Sequence, residues 1–364
     1  MNLYRADHVG SLLRPAALLE ARAARAADRL SAEELRSQED TAILEAIALQ
    51  QAAGISVVSD GEFRRFTWLG AMAESVEGFV PSSTSINWKG PGGGEEPSTS
   101  HIVGAKLRQK QRLTAHEAGF LQLHAGGSWK VTMPSPAVFQ IASFAPGVSD
   151  RVYRDRKAML ADLAPIVRAE VQALVAGGCP YIQLDDAFLS LYLDQDVVAR
   201  WAAAGFDAAT ELQNGIDAVN ACLDGIERPD TTVGLHICRG NSKSRWFTAG
   251  GYDAIAEQLF PQLHVDRFLL EYDDERSGGF EPLRHVPRGK MVVLGLITTK
   301  RPDLESVDDL RRSIDLAAEY LPLENLAISP QCGFGSVASG NLLTLDDERR
   351  KLELVTEVAH RVWG

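Results

Sequence analysis

The sequence predicts an α/β fold, a (β/α)8 TIM barrel with a hairpin or loop insertion around residues 77–110. Three observations lead there. Helical patterns alternate with short apolar strands along the whole chain, which is the signature of a mostly parallel sheet. Eight such strands can be counted, near residues 5, 56, 131, 182, 234, 269, 293 and 327. Polar and metal-capable residues gather at the carboxyl ends of those strands, where such barrels build their sites. A length of 364 residues suits one barrel, so the chain is read as a single catalytic domain over 1–364 carrying a rim insertion at 77–110. A doubly wound sheet is the alternative.

The first strand holds Arg5 to His8 and ends in Val9-Gly10-Ser11. Helices follow over 16–29 and 33–53, the second opened by Ser31 with Glu34 three residues on, a capping-box pattern. Ile55 to Ser59 is the second strand and runs into Asp60-Gly61-Glu62. From Val80 to Thr99 the composition turns to Pro, Ser and Gly, which marks the insertion, with His101 to Leu107 as its return strand. Thr114 starts a helix, and Trp129 to Met133 is the third strand. Ala158 to Ala176 is a long helix stopped by Gly177-Gly178. The fourth strand, Tyr181 to Leu184, ends in Asp185-Asp186, and a helix near 210–223 leads into the fifth. The sixth ends in Glu271, the seventh in Thr298-Thr299-Lys300, the eighth in Pro330-Gln331-Cys332-Gly333, and a closing helix runs from Leu345.

A net charge of −12 argues against a nucleic-acid partner, which would need a basic face. Hydrophobic residues at 45% and charged residues at 24% are ordinary globular composition, and no apolar run approaches the roughly 18 residues of a membrane span. Met1 to His8 carries no apolar signal core, so a cytoplasmic protein without a membrane partner is expected. Four cysteines in such a chain are not expected to form disulfides, and Cys179 and Cys222 fit as core fillers.

Cys238 and Cys332 stand differently, each at a strand end beside glycine or a Gly/Asn-rich loop. His236 and Cys238 are two apart on a strand, so both side chains point the same way, which makes half of a zinc site. Glu271 and Cys332 end the sixth and eighth strands, near enough around the rim to converge with them. Two thiolates, an imidazole and an exchangeable carboxylate are a catalytic arrangement rather than a closed structural one, and the paired C-x2-C knuckles of structural zinc are missing. The competing reading is four unrelated residues: two core thiols, a satisfied histidine and a solvated acid.

These residues also carry a resemblance. Asp7-His8-Val9-Gly10-Ser11, Ser59-Asp60-Gly61-Glu62, Gln183-Leu184-Asp185-Asp186, His236-Ile237-Cys238, Leu270-Glu271 and Ser329-Pro330-Gln331-Cys332-Gly333 occur in an order that resembles the catalytic barrel of cobalamin-independent methionine synthase. The likeness is greater to the short, single-barrel homologues of that family, and it covers essentially the whole length. It implies Zn2+ as cofactor, held by His236, Cys238, Glu271 and Cys332. It also implies that Ser11 holds the carboxylate of an amino-acid substrate and that Glu62 and Asp185 pair with its ammonium group. The implied reaction is methyl transfer from a donor such as 5-methyltetrahydrofolate to homocysteine, giving methionine.

Two departures bear on the donor. The family's Asp-Glu-Pro after the fourth strand is Asp185-Asp186-Ala187 here, and Glu271 to Gly278 follows the short homologues. Asp186 is the candidate proton donor to the departing amine, which is a poor leaving group unprotonated. His8 and Arg14 either support the site or bind an anion, and Arg239, Asn241 and Trp246 shape the pocket beyond the metal pair. Other readings stay open: alkyl transfer to a small thiol from an epoxide or another methyl donor, a non-catalytic zinc or thiol-binding barrel, and a zinc hydrolase. A homo-oligomer is compatible with all of them.

Overall fold

The computed structural model describes residues 3–364, so Met1 and Asn2 of the segment read for an export signal lie outside the described residues. Six parallel strands stand side by side in chain order: β3 (Lys130–Pro134), β4 (Tyr181–Asp185), β5 (Thr232–Ile237), β6 (Arg267–Glu271), β7 (Met291–Ile297) and β8 (Leu326–Pro330). Every residue in them is buried, as expected of a parallel sheet covered on both faces.

The expected first and second strands are short extended segments, and they close the ring. Asp7 N–H donates to Ile328 O and Ile328 N–H to Arg5 O, both at 3.0 Å. Ser56 N–H reaches Ala6 O at 3.0 Å, Val58 N–H reaches Ser128 O at 3.1 Å, and Lys130 N–H reaches Val58 O at 2.8 Å. They stay irregular because side chains capture backbone groups that a ladder would use. Asp7 Oδ1 accepts the His8 N–H at 2.8 Å, His8 Nδ1 accepts the Gly10 N–H at 3.1 Å, and Gln50 Oε1 accepts the Ser59 N–H at 2.8 Å.

The barrel interior holds a fully buried charge network that anchors the first segment. Lys130 Nζ donates to Asp7 Oδ1 at 2.7 Å and Gln183 Oε1 at 2.9 Å. Tyr181 Oη and Arg267 Nη1 reach Asp7 Oδ2 at 3.1 and 3.3 Å. Burial opposes charging Asp7, yet the cations Lys130 and Arg267 hold its carboxyl below its ordinary value. Gln183 Nε2 continues upward to Val9 O at 2.5 Å and Asp185 Oδ1 at 2.8 Å, so the network ends in the site.

The helices follow the expected starts and stops. Ahead of α2 (Ala32–Ala52), Ser31 and Glu34 form a reciprocal capping box. α6 (Arg156–Ala176) is capped by Asp155 and stops before Gly178, whose φ is +73°. Helices over Gln195–Ala203, Asp253–Gln262 and Val307–Ala317 were not anticipated. α11 (Leu345–Trp363) closes the chain. Among the described residues no helix is long and apolar enough to cross a membrane.

The insertion expected around 77–110 is a hairpin over Val76–Gln109, with a return strand longer than the 101–107 its sequence suggests. β1 (Val76–Trp88) pairs antiparallel with β2 (Gly94–Gln109), with a register shift beside Gly78. It does not project freely: Lys89 pairs through its backbone with Trp246, Lys89 Nζ reaches Asp194 at 3.1 Å, and Arg245 makes a two-toothed ion pair with Glu96 at 2.7 and 2.8 Å. The tip therefore lies on the loop that follows β5.

Glu348 of α11 is buried and accepts the Leu13 N–H at 2.8 Å. Burial pushes its carboxyl from 4.5 up to about 8, with the Leu13 bond opposing. A raised acid stabilises the fold fully below the unfolded value and loses that contribution as pH rises through the folded one. The melting temperature should fall between about pH 5 and 9 less steeply in Glu348→Gln than in the parent, because the amide keeps the Leu13 bond without titrating. Parallel melting curves across that range would refute this assignment.

Candidate metal and substrate site

The end of β5 and the turn after β8 bring three soft donors together. His236, Cys238 and Cys332 each offer a ligand atom, and these atoms lie within 4.8 Å of one another, all buried. The two sulfurs are 3.5 Å apart. Neither ring nitrogen of His236 has a hydrogen-bond partner, an expensive arrangement for a buried imidazole unless something else binds it. Two thiols and an unpartnered imidazole are a donor set that suits a soft, tetrahedral cation such as Zn2+. The Cys238 thiol beside it, then His236 and Lys300, hold the Cys332 thiol well below its ordinary value against the opposing burial.

Glu271 ends β6 but is not one of the donors within that group. Both of its oxygens are engaged: Oε2 accepts the Arg239 N–H at 2.7 Å, and Oε1 accepts from Arg276 Nη1 at 3.1 Å with Lys300 Nζ at 4.0 Å. Burial alone would raise its pKa, but Lys300, Arg239 and Arg276 hold it below the usual carboxylate range. Tyr252 fixes the neighbouring backbone, its hydroxyl donating to Ile237 O at 2.8 Å and accepting from Glu271 N–H at 3.0 Å.

Ser11 lies against the cysteine turn. A Cβ on Gly333 would fall 1.9 Å from Ser11 Oγ, so only glycine lets the two loops meet. Glu62 sits at φ +59°, a left-handed conformation uncommon outside glycine, secured by Asp60 Oδ1 accepting its N–H at 2.9 Å. Its Oε1 accepts from the Thr132 hydroxyl at 2.7 Å, while Oε2 is buried with no partner. Asp185 faces the same space. Burial pushes its carboxyl up to about 7, with His236 lowering it and Glu62 raising it. Two buried carboxylates that repel each other are suited to an ammonium group between them.

Asp186 opens the next segment. Its Oδ1 caps the following turn by accepting the Leu189 N–H at 3.1 Å, its Oδ2 has no partner, and burial pushes it up to about 7. His8 and Arg14 prove to be structural. His8 Nε2 bonds Val57 O at 3.0 Å. Arg14 donates to Gly335 O at 2.7 Å, Glu62 O at 3.0 Å and Arg65 O at 2.9 Å, tying together the loops that carry Ser11, Glu62 and Cys332. Asn241 pins the cysteine turn through Gly333 O at 2.7 Å.

Sequence reasoning passed over Thr132, Arg276 and the aromatic cover. Trp68 and Phe247 pack on the cluster of Ala187, Cys238 and Cys332, and Phe188 bridges them with ring centroids 6.4 and 5.8 Å away. No spacing in the chain announces these contacts, because each ring comes from a different loop. Cys179 and Cys222 are buried fillers, as expected.

Comparison with known proteins agrees with this geometry. The profile of the family described as "Cobalamin-independent synthase, Catalytic domain" matches residues 5–359. The uncharacterized protein YxjH of Bacillus subtilis is 38% identical, over 99% of this chain and 95% of its own length. Methionine synthase of Pyrococcus abyssi is 25% identical over 89% of this chain and 84% of its own. A crystal structure from Listeria monocytogenes, assigned as a vitamin-B12-independent methionine synthase, superposes with a TM-score of 0.77 at 27% identity, covering 99% of this chain and 98% of that one. The full-length profile match, the fold shared with that structure and the convergent His236, Cys238 and Cys332 lead to one assignment: the chain is an enzyme of the cobalamin-independent methionine synthase family, a methionine synthase-like methyltransferase.

Proposed function

We propose that this enzyme binds Zn2+ through His236, Cys238 and Cys332, with Glu271 as an exchangeable fourth ligand, and methylates a small amino-acid thiol, homocysteine, to give methionine. The observation that carries this reading is the convergence of two thiols with an imidazole that has no hydrogen-bond partner. Zinc, when bound, supplies the Lewis acidity that keeps the substrate sulfur deprotonated near neutrality, where a free thiol is only a few per cent ionised.

The chain's own residues do the rest. Ser11 binds the substrate carboxylate, while the free Oε2 of Glu62 and the carboxylate of Asp185 take the ammonium group. That pairing orients the substrate so that its sulfur points to the cysteine side. The rings of Trp68, Phe188 and Phe247 keep water from the sulfurs. Asp186, with an unpartnered Oδ2 and a pKa near 7, returns a proton to the amine that leaves with 5-methyltetrahydrofolate as methyl donor. The whole chain, 1–364, acts as one catalytic barrel with 77–110 as its rim insertion, in the cytoplasm, without a nucleic-acid or membrane partner. A second reading is alkyl transfer to the same thiol from another electrophile.

Zinc-edge X-ray absorption on the purified protein tests the metal reading. Two sulfur ligands without substrate and three with homocysteine are expected, and a shell unmoved by any small thiol would exclude thiol activation. Cys238→Ser and Cys332→Ser should each lose at least tenfold in zinc affinity.

Glu62→Gln removes one charge-assisted bond to the ammonium group, worth about 1.5–3 kcal/mol, so KM for homocysteine should rise roughly tenfold to a hundredfold. A thiol without an amino group should be affected less than about threefold, since the lost bond is not made to it. Equal effects on both thiols would place Glu62 outside the ammonium site.

A further inference from the structure

Arg276 lies in the segment after β6, and its guanidinium is used on every side. Nη1 donates to Glu271 Oε1 at 3.1 Å, Nη2 to Asp273 at 3.3 Å and Nε to Asp274 at 2.7 Å. Its face lies 4.3 Å from the centroid of the Trp246 ring, within cation–π range. Trp246 is in turn held by the hairpin. Lys89 N–H donates to Trp246 O at 2.6 Å, and Trp246 N–H donates to Lys89 O at 3.2 Å. Gly90 lies flat on the indole, where a Cβ would come within 2.4 Å of the ring. An unbroken line of contacts therefore runs from the hairpin tip to the carboxylate of Glu271.

That carboxylate lies outside the group of soft donors, and both of its oxygens are hydrogen-bonded, one to the Arg239 N–H and one to Arg276. We propose that Arg276 is a positioning residue that competes with the metal for the Glu271 carboxylate, and that the docked hairpin sets Arg276 through Trp246. Glu271 would thereby stay a weak fourth ligand that the substrate sulfur displaces readily. This rests on the metal assignment proposed above.

The test is Zn2+ affinity of the full-length chain by competition with a chromophoric chelator, together with the absorption spectrum of the Co2+-loaded protein. Arg276→Met should bind Zn2+ about tenfold more tightly, because Glu271 is released to join the set, and should bind homocysteine about tenfold more weakly. Its Co2+ bands should shift without thiol. Glu271→Gln should reverse the tighter binding in the Arg276→Met background, and should do so by a larger factor than it changes affinity in the parent. Arg276→Lys should fall between parent and Arg276→Met. Trp246→Ala should move the metal affinity in the same direction as Arg276→Met, by a smaller factor.

Unchanged or weaker Zn2+ binding in Arg276→Met and Arg276→Lys, with melting temperature preserved, would overturn the proposal while leaving the metal assignment in place. Parent-like Zn2+ binding in Cys332→Ser would instead remove the metal assignment, and the proposal with it.

Discussion

The buried carboxylate of Asp7 is the constraint on which the barrel and its site both depend. An isolated charge in a protein interior costs several kcal/mol, so a fully buried acid stays charged most readily where its oxygens are paired with cations and donors. Here Oδ1 meets Lys130 and the His8 N–H, and Oδ2 meets Tyr181 and Arg267. These partners come from β3, β4 and β6, so one side chain fastens the irregular first segment to three strands of the ring. Removing Asp7 would take from the buried Lys130 and Arg267 the carboxylate that both of them bond. Through Gln183 the same network reaches Asp185, so the interior that closes the barrel also orients a site carboxylate.

The site itself has two electrostatic halves. Around Glu62 and Asp185 the charges are negative and incompletely paired, which leaves room for a cation. Around Glu271 the cations Arg239, Arg276 and Lys300 offset the carboxylates of Glu271, Asp273 and Asp274, and Lys300 also helps hold the Cys332 thiol low. Under the proposed function, a zwitterionic thiol would present an ammonium group to the first half and a sulfur to the second. The two halves are kept in register by Arg14 and Asn241, which bond only to backbone carbonyls and neighbouring hydroxyls and so fix loop positions rather than touch a substrate.

Much of this was legible in the chain. The two-residue period of a strand was enough to aim His236 and Cys238 together, and the regular return of apolar runs located all eight barrel positions. Cys332 stood out because it ended a strand beside glycine. Three things were hidden, each for a physical reason. The first two strands were overcounted in regularity because Asp7, His8 and Gln50 divert backbone donors to side chains, which no propensity reports. The outgoing strand of the hairpin and the start of its return strand gave no signal, because most of the ribbon is exposed and lacks apolar alternation. The setting of Glu271 was invisible because Arg239, Arg276 and Lys300 come from three separate loops that meet only in the folded molecule.

The hairpin has a bearing on how this kind of enzyme diversifies. Its ladder is made entirely with itself, and it enters and leaves between the second segment and β3 without contributing a bond to the barrel ring. Residues can be gained or lost in matched pairs along the ribbon while every barrel strand keeps its register. Its tip, by contrast, is anchored through Lys89 and Glu96 to the loop after β5, so a change of length would re-set that loop and its contacts while the barrel strands stay as they are.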